Sequence, residues 1–189
     1  MKRTKTVIVI TGVPGTGKTR ISDLLAARIK DAVVVHTTEF IRAKKLFSSY
    51  DSDGSLIVQM KALERELARV VARSDRRFVI LEGHVLCDLR VRGATAVVLR
   101  EHLGVIRRRL LARGYGKAKM KANIVSEATD YCGAHAEENY PKVFEIFSRS
   151  RSALPDLVRI AEGRKVSKKE IDLLEELPRI IKKDRDFAI

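Results

Sequence analysis

Short apolar runs alternate along this chain with segments of helical periodicity. The apolar runs are rich in β-branched residues and predict five strands, in "TKTVIVITG", "AVVVHTT", "RRFVILEG", "ATAVVLR" and "KVFEIF". They show no alternation of apolar and polar positions, which is typical of strands buried on both faces of a parallel sheet. Strands of this kind joined by helices predict an α/β fold of three layers, with a five-stranded parallel sheet between helices.

The segments between the strands carry apolar residues at helical spacing. In the first of them Ile21, Leu24, Leu25 and Ile29 lie on one side of a predicted helix. The turn-rich "SSYDSDGS" separates the next two helices, and Gly133 is a weak point in a long one. The remaining predicted helices span 39–47, 55–74, 103–114, 117–139, 153–163 and 167–183.

Length and composition indicate one globular domain over residues 1–189. The chain is 45% hydrophobic and 33% charged, which favours a folded soluble protein over a disordered one. Its apolar runs are too short for a membrane span or a signal-peptide core, so we expect a cytoplasmic protein without a membrane partner. Cys87 and Cys132 form no C-x-x-C pair, which favours two ordinary thiols over a zinc ribbon or a disulfide.

The chain is strongly basic, with 38 Lys and Arg against 24 Asp and Glu and a formal net charge of +14. An excess of this size favours polyanionic partners such as RNA or a ribonucleoprotein. A basic protein that binds only nucleotides is the alternative, and charge by itself leaves both open.

A phosphate-binding loop follows the first strand. The segment "GVPGTGKT", Gly12 to Thr19, matches G-x-x-x-x-G-K-[ST] and lies between a predicted strand and a predicted helix, as that motif requires. Its glycines let the backbone wrap around phosphates, and its amides form an anion nest at a helix N-terminus. Lys18 is expected to contact the β- and γ-phosphates, and the Thr19 hydroxyl to bind Mg²⁺. The predicted ATP-binding residues of this segment are Gly15, Thr16, Gly17, Lys18, Thr19 and Arg20.

A carboxylate and an imidazole end the third predicted strand, in "FVILEGH". Glu82 lies at the carboxyl end of this strand, where ligands bind in open α/β sheets, and it is predicted to hold Mg²⁺ together with Thr19. His84 then lies close to the γ-phosphate or to an attacking nucleophile. The alternatives are a solvated glutamate and a loop histidine that is hydrogen-bonded to the backbone.

Taken together these motifs resemble the nucleoside monophosphate kinase superfamily, and within it the adenylate kinase isoenzyme 6 (CINAP-type) family. The likeness rests on "GVPGTGKT", on "VILEGH", on "VVLREHLGVIRRRLLARGY" and on "KMKANIVSEA", and it spans about residues 7–161. The acid-x-His ending is its most discriminating feature. Ordinary adenylate kinases instead carry Asp-Gly-Phe-Pro-Arg at this point, and this chain lacks that acceptor-binding arginine. Specificity for AMP is therefore implied only by the family resemblance.

The resemblance implies a role for several segments. Residues 36–59 would form a monophosphate-binding segment, in which Arg42 reaches the acceptor phosphate. Residues 113–123 would form a short lid, from which Arg113 contacts ATP. The implied catalytic residues are Lys18, His84 and Arg113. A helical extension over 164–189 is longer and more basic than is usual for the family, and it is a candidate docking surface.

The implied function is Mg²⁺-dependent phosphoryl transfer from ATP to AMP, with ATPase activity, in the maturation of the small ribosomal subunit. A ribosomal protein of that subunit and rRNA would then be partners. One alternative is an ATPase switch in ribosome assembly with incidental kinase activity. Another is a kinase for a different small acceptor, such as shikimate or another nucleoside monophosphate.

Overall fold

A computed structural model describes residues 5–167 and 171–183. The strands are β1 (Thr6–Thr11), β2 (Ala32–His36), β3 (Phe47–Tyr50), β4 (Leu56–Val58), β5 (Phe78–Glu82), β6 (Ala94–Arg100) and β7 (Val143–Phe147). The helices are α1 (Lys18–Arg28), α2 (Thr37–Lys44), α3 (Met60–Arg73), α4 (Leu103–Ala112), α5 (Lys117–Ala128), α6 (Tyr131–Asn139), α7 (Ala153–Ala161) and α8 (Leu177–Lys183). Two 3₁₀ helices cover His84–Asp88 and Leu174–Glu176.

The central sheet has five parallel strands in the order β2-β5-β1-β6-β7. This confirms the predicted α/β fold with a parallel five-stranded sheet. Strand β1 lies in the middle, between β5 and β6. The carboxyl ends of β1, β2 and β5 therefore meet at one edge of the sheet, where the phosphate-binding loop begins.

The sheet is covered by helices on both faces, and each face has its own core. Along β1, Val7 and Val9 belong to the core formed with α3, α4, α5 and α6. Ile8 and Ile10 belong to the opposite core, formed with α1 and α7. Successive side chains of a strand point to opposite faces, so a strand covered on both sides must be apolar throughout. This arrangement explains the absence of alternation in the predicted strands.

The segment between β2 and α3 differs from the prediction. It contains a two-stranded antiparallel hairpin, β3 and β4, where the sequence predicted the end of one helix, a turn and the beginning of another. The turn is closed by Asp51, whose carboxylate accepts hydrogen bonds from the amides of Asp53 and Ser55 at 2.9 and 2.7 Å. The helix predicted over 55–74 consequently begins only at Met60. Cross-strand pairing of Leu56 and Val58 with β3 outcompetes their helical spacing.

The helix predicted over 117–139 is two helices, and the break lies before Gly133. Asp130 adopts a left-handed conformation, with φ of 53°, between α5 and α6. Its carboxylate accepts a hydrogen bond from the Gly133 amide at 3.2 Å and caps α6. A side chain at Gly133 would overlap this carboxylate, with an added Cβ 2.3 Å from its oxygens. Gly133 therefore belongs to the capped first turn of the second helix and does not weaken the first.

The described part of the C-terminal extension packs beside α4. Glu176 accepts a hydrogen bond from the Leu103 amide at 2.9 Å and pairs with His102, so it caps the N-terminus of α4. Within the described residues of the helix predicted from Ser167, the structure contains the second 3₁₀ helix followed by α8. Residues 168–170 and 184–189 of the predicted extension lie outside the described residues. In the part of the chain that the structure describes, helices are too short or too polar to cross a bilayer.

Candidate active site

The phosphate-binding loop connects β1 directly to α1. Gly12 has a φ of +134°, and a Cβ there would lie 2.5 Å from the carbonyl oxygen of Leu99. Both the backbone conformation and the close approach to β6 therefore require glycine at this position. Gly17, with a φ of 95°, turns the chain into α1, so that the first amides of the helix face the loop. The observed loop has the strand–loop–helix arrangement that the motif predicts.

Lys18 is buried at the centre of this loop. Its ammonium group donates a hydrogen bond to the carbonyl oxygen of Val13 at 3.0 Å, and that oxygen also accepts one from the Thr16 hydroxyl at 3.0 Å. Burial lowers the pKa of Lys18, against the opposing effect of the Glu82 carboxylate. A buried ammonium group with a single neutral acceptor is poised to gain from an anionic ligand, and a nucleotide phosphate would supply that charge.

Glu82 lies beside Thr19 at the carboxyl edge of the sheet. The Thr19 hydroxyl donates to Glu82 Oε2 at 3.4 Å, so the two predicted magnesium ligands are neighbours. Mg²⁺ binds oxygen donors and keeps several of its waters, and a hydroxyl beside a largely buried carboxylate suits that preference. The residues present therefore fit the ion that the fold implies.

His36 completes this cluster, and the sequence interpretation did not include it among the site residues. Its Nδ1 lies 3.0 Å from Glu82 Oε2, and its Nε2 lies 3.2 Å from Asp23 Oδ1. Partial burial lowers the pKa of His36, but the hydrogen bond that its ring donates to Glu82 and the charges of Glu82 and Asp23 outweigh this effect, so the pKa is raised. The available signal was position: His36 ends β2 and pairs in register with Glu82 on β5.

His84 stands in the 3₁₀ helix that follows β5. Its Nδ1 is buried and has no hydrogen-bond partner among the described residues. Burial and the Lys18 charge lower its pKa, while Asp88 and a backbone hydrogen bond to Gly12 act in the opposite direction. The interaction with the Gly12 backbone agrees with the backbone-bonded alternative that the sequence left open. A buried imidazole without its proton is a neutral acceptor or ligand.

A cavity of about 820 Å³ lies beside the phosphate-binding loop. It is lined by most of the residues predicted to bind the nucleotide and the metal, and also by Asp23. The described lining does not include Arg42, which is exposed in the last turn of α2. The predicted residues that line the cavity are Gly15, Gly17, Lys18, Thr19, Arg20, Glu82, His84 and Arg113.

Two further arginines near the loop have different roles. Arg109 donates to the Gly15 carbonyl oxygen at 2.6 Å and lies 3.3 Å from the buried carboxylate of Glu101, so it supports the loop from α4. Arg100, at the end of β6, is only 1% exposed and pairs with three carboxylates. Its position in the interior gives it a structural role.

Most of this chain is similar to known families and proteins. Residues 8–130 match the family described as "AAA domain". A protein of Methanosarcina barkeri named "Putative adenylate kinase" is 32% identical over 150 residues, which cover 77% of this chain and 79% of that protein. A protein of the same name from Methanocaldococcus jannaschii is 31% identical over 172 residues, covering 89% and 93%.

Solved structures share the fold at low sequence identity. Shikimate kinase from Bacteroides thetaiotaomicron superposes with a TM-score of 0.55 at 19% identity, covering 84% of this chain and 96% of that one. The tunicamycin resistance protein of Deinococcus radiodurans gives 0.57 at 17% identity, covering 87% and 99%. The chain therefore belongs to the AAA domain family and to the family of these archaeal proteins, within the P-loop nucleoside monophosphate kinase superfamily.

Proposed function

We propose that this protein transfers the γ-phosphoryl group of Mg·ATP to AMP and hydrolyses ATP more slowly. The observation that supports this most directly is the single cavity into which Lys18, Thr19, Glu82 and Arg113 all open. Phosphoryl transfer depends on positioning and on neutralising charge, and these four residues supply cations and metal ligands on one side of one space.

The loop and its neighbours would bind the triphosphate. The amides of Gly15, Thr16 and Gly17 and the ammonium group of Lys18 contact phosphate oxygens, while Arg20 and Arg113 flank the mouth of the cavity. Thr19 and Glu82 would hold Mg²⁺. That ion would neutralise charge on the transferring phosphate. A phosphate acceptor needs no general base, so none is assigned for the kinase reaction.

The acceptor would enter beside the segment 36–59. Thr38, near the start of this segment, lines the cavity, whereas Arg42 is exposed one helical turn further along α2. We therefore propose that α2 and the β3–β4 hairpin move toward the loop when AMP binds, and that Arg42 then contacts the acceptor phosphate.

An acceptor screen tests this function. Purified protein is incubated with Mg·ATP and, separately, with each nucleoside monophosphate or with shikimate, and ADP formation is compared with an ATP-only reaction. We expect AMP to raise ADP formation well above that control. A rate that no nucleoside monophosphate changes would contradict the proposal, and a response to shikimate alone would identify a different small-molecule kinase.

A second candidate function is an ATPase that acts in small ribosomal subunit maturation, with rRNA or a ribosomal protein of that subunit as its partner. The observation that favours it is a basic groove between α4, α8 and the loop after β7. Its arginines fit an RNA backbone better than a small acceptor. The groove has a volume of about 770 Å³, and its basic residues are Arg107, Arg108, Arg149 and Arg179.

A further inference from the structure

Both cysteines of the chain are buried next to His84, although 45 residues separate them in sequence. Cys87 lies one turn after His84 in the first 3₁₀ helix, and Cys132 lies in the first turn of α6. Their sulfur atoms are 3.7 Å apart, and a ring nitrogen of His84 and both sulfurs all lie within 4.8 Å of one another. The fold thus brings two thiols and one imidazole to a single point.

We propose that His84, Cys87 and Cys132 form a zinc-binding site, separate from the magnesium ligands. Two sulfurs at the usual Zn–S distance of about 2.3 Å in a tetrahedral arrangement lie about 3.8 Å apart, which agrees with the observed 3.7 Å. A sulfur and an imidazole nitrogen on the same ion lie about 3.6 Å apart. The imidazole therefore needs to approach by no more than roughly an ångström.

The unpaired nitrogen of His84 indicates that a ligand other than the protein binds this side chain. Its Nδ1 is buried and unpaired among the described residues, which costs free energy unless something binds there. His84 also interacts with the backbone of Gly12. A metal-binding histidine commonly has one nitrogen on the ion and the other hydrogen-bonded to a carbonyl group.

Hydrogen bonds that do not involve the thiols hold the two cysteine-bearing segments together. Asp88 accepts a hydrogen bond from the Tyr131 hydroxyl at 3.0 Å and lies 2.6 Å from His135 Nδ1. Asn139 donates to the carbonyl oxygen of Cys87 at 3.0 Å. The donors are therefore positioned by packing and hydrogen bonds around them, which is what a metal site requires.

The donor set selects zinc over magnesium. Thiolates and imidazole are poor ligands for Mg²⁺ and good ligands for Zn²⁺, so the ion that accompanies ATP does not compete. Binding replaces the two S–H protons, one from each cysteine, and releases both to solvent, so that two thiolates balance the charge of the ion. His84 also lines the large cavity, which gives the ion an entry path and leaves its fourth position for water.

Metal titration of the reduced, metal-free chain tests the proposal. Zn²⁺ is titrated against a chromophoric chelator, and Co²⁺ is used as a spectroscopic substitute. We expect one equivalent of Zn²⁺ to bind, and Co²⁺ to show a thiolate charge-transfer band with the intense visible bands of a tetrahedral site. Cys87→Ser and Cys132→Ser should each weaken Zn²⁺ binding at least about 100-fold.

A matched control lies on the same helix. Glu138→Gln changes an exposed side chain six residues after Cys132 that is not one of the three donors, and it should keep the wild-type zinc affinity. Absence of saturable binding to the wild-type chain would overturn the proposal, as would unchanged zinc affinity in a Cys87→Ser, Cys132→Ser double variant.

A second measurement needs no variant, in case the serine variants fail to fold. The rate at which iodoacetamide alkylates the two thiols of the wild-type chain is followed with and without one equivalent of Zn²⁺. We expect both rates to fall at least about tenfold, because a metal-bound thiolate is shielded from the reagent. Equal alkylation rates with and without Zn²⁺ would contradict the proposed ligands. None of these measurements depends on kinase activity.

Discussion

At the scale of single residues, the site places one cation and one carboxylate in surroundings that suit a bound nucleotide better than an empty site. Lys18 is buried and donates to a backbone carbonyl group, so its charge is only partly compensated. Glu82 is 7% exposed and shares its oxygen between Thr19 and His36. Groups of this kind exchange folding stability for binding energy, which is common at functional sites.

Replacement of Lys18 by methionine separates these two effects. We expect kcat for ATP turnover to fall at least about 100-fold, because a cation at the transferring phosphate is lost. The midpoint of thermal unfolding without nucleotide should stay equal or rise, because a desolvated ammonium group is removed from the interior. Coupled ADP assays and thermal melts measure the two effects.

Lys61→Met, at an exposed position on α3, is the control and should change neither property. A Lys18→Met protein that unfolds well below the wild type would show that the ammonium group stabilises the empty site instead.

His84 distinguishes hydrolysis from phosphoryl transfer to AMP. Water must be oriented for attack, whereas the phosphate of AMP is already an anionic nucleophile. We therefore expect His84→Ala to lower the ATPase rate more than the AMP phosphorylation rate, in assays with Mg²⁺ as the sole added divalent metal. Equal losses in the two rates would argue against a part for this imidazole in hydrolysis.

At the scale of elements, a buried cluster of charges joins β6, α5, α6 and β7. Arg100 pairs with Glu127 at 3.3 Å, with Asp130 at 2.6 Å and with Glu145 at 3.0 Å. Three carboxylates around one guanidinium group leave an excess of negative charge when all are ionised. Burial raises the pKa of Glu127 to about 7 against the attraction of Arg100, and it also raises the pKa of Asp130 and Glu145.

The protein should therefore lose stability as pH rises through this range. Below pH 4.5 Glu127 is protonated in both the folded and the unfolded chain. Between pH 4.5 and about 7 the unfolded chain releases this proton first, so the free energy of unfolding falls by about 1.4 kcal/mol per pH unit from this group. Above pH 7 both states are ionised and the loss is complete.

Glu127→Gln tests this dependence, because glutamine resembles the protonated carboxyl group. Urea unfolding is measured from pH 4.5 to pH 8 for the wild type and the variant. The difference in unfolding free energy between them should shift by up to about 3 kcal/mol in favour of the variant as pH rises. Glu138→Gln, at an exposed position on α6, should follow the wild type throughout. Parallel curves for Glu127→Gln and wild type would contradict the raised pKa.

At the scale of the whole molecule, the net charge of +14 is gathered partly into the groove beside α4. If this groove binds RNA, affinity for an rRNA fragment should fall steeply as salt rises, because bound counterions are released from phosphates. Arg108→Glu with Arg149→Glu should weaken binding at least about tenfold at low salt.

The matched control makes the same change in net charge on a different surface of the protein. Arg65→Glu with Arg73→Glu, both on α3, alters the net charge equally but lies outside the groove, and it should weaken binding much less. Filter binding or fluorescence anisotropy measures these affinities. Equal losses in the two double variants would indicate a diffuse charge effect without a defined RNA surface.

The sequence by itself determined the parallel sheet and the phosphate-binding loop. Strands that are apolar throughout require cover on both faces, and the full G-x-x-x-x-G-K-[ST] pattern between a strand and a helix is typical of a phosphate-binding loop. Local patterns did not determine the β3–β4 hairpin, because pairing between strands depends on neighbours that periodicity does not reveal. Local patterns also did not predict the left-handed conformation of Asp130. That conformation is stabilised by the hydrogen bond through which the Asp130 carboxylate caps α6.

The tertiary structure alone decided which distant residues meet. His36 joins Glu82 because β2 lies beside β5, and strand order is a property of the sheet rather than of any segment. Asp23, on α1, joins the cluster through His36. Cys87 and Cys132 meet beside His84 for the same reason, since α6 packs on the segment that follows β5. The local sequence around each of these residues is also typical of an ordinary structural role. It therefore does not show which distant residues come together to form a site.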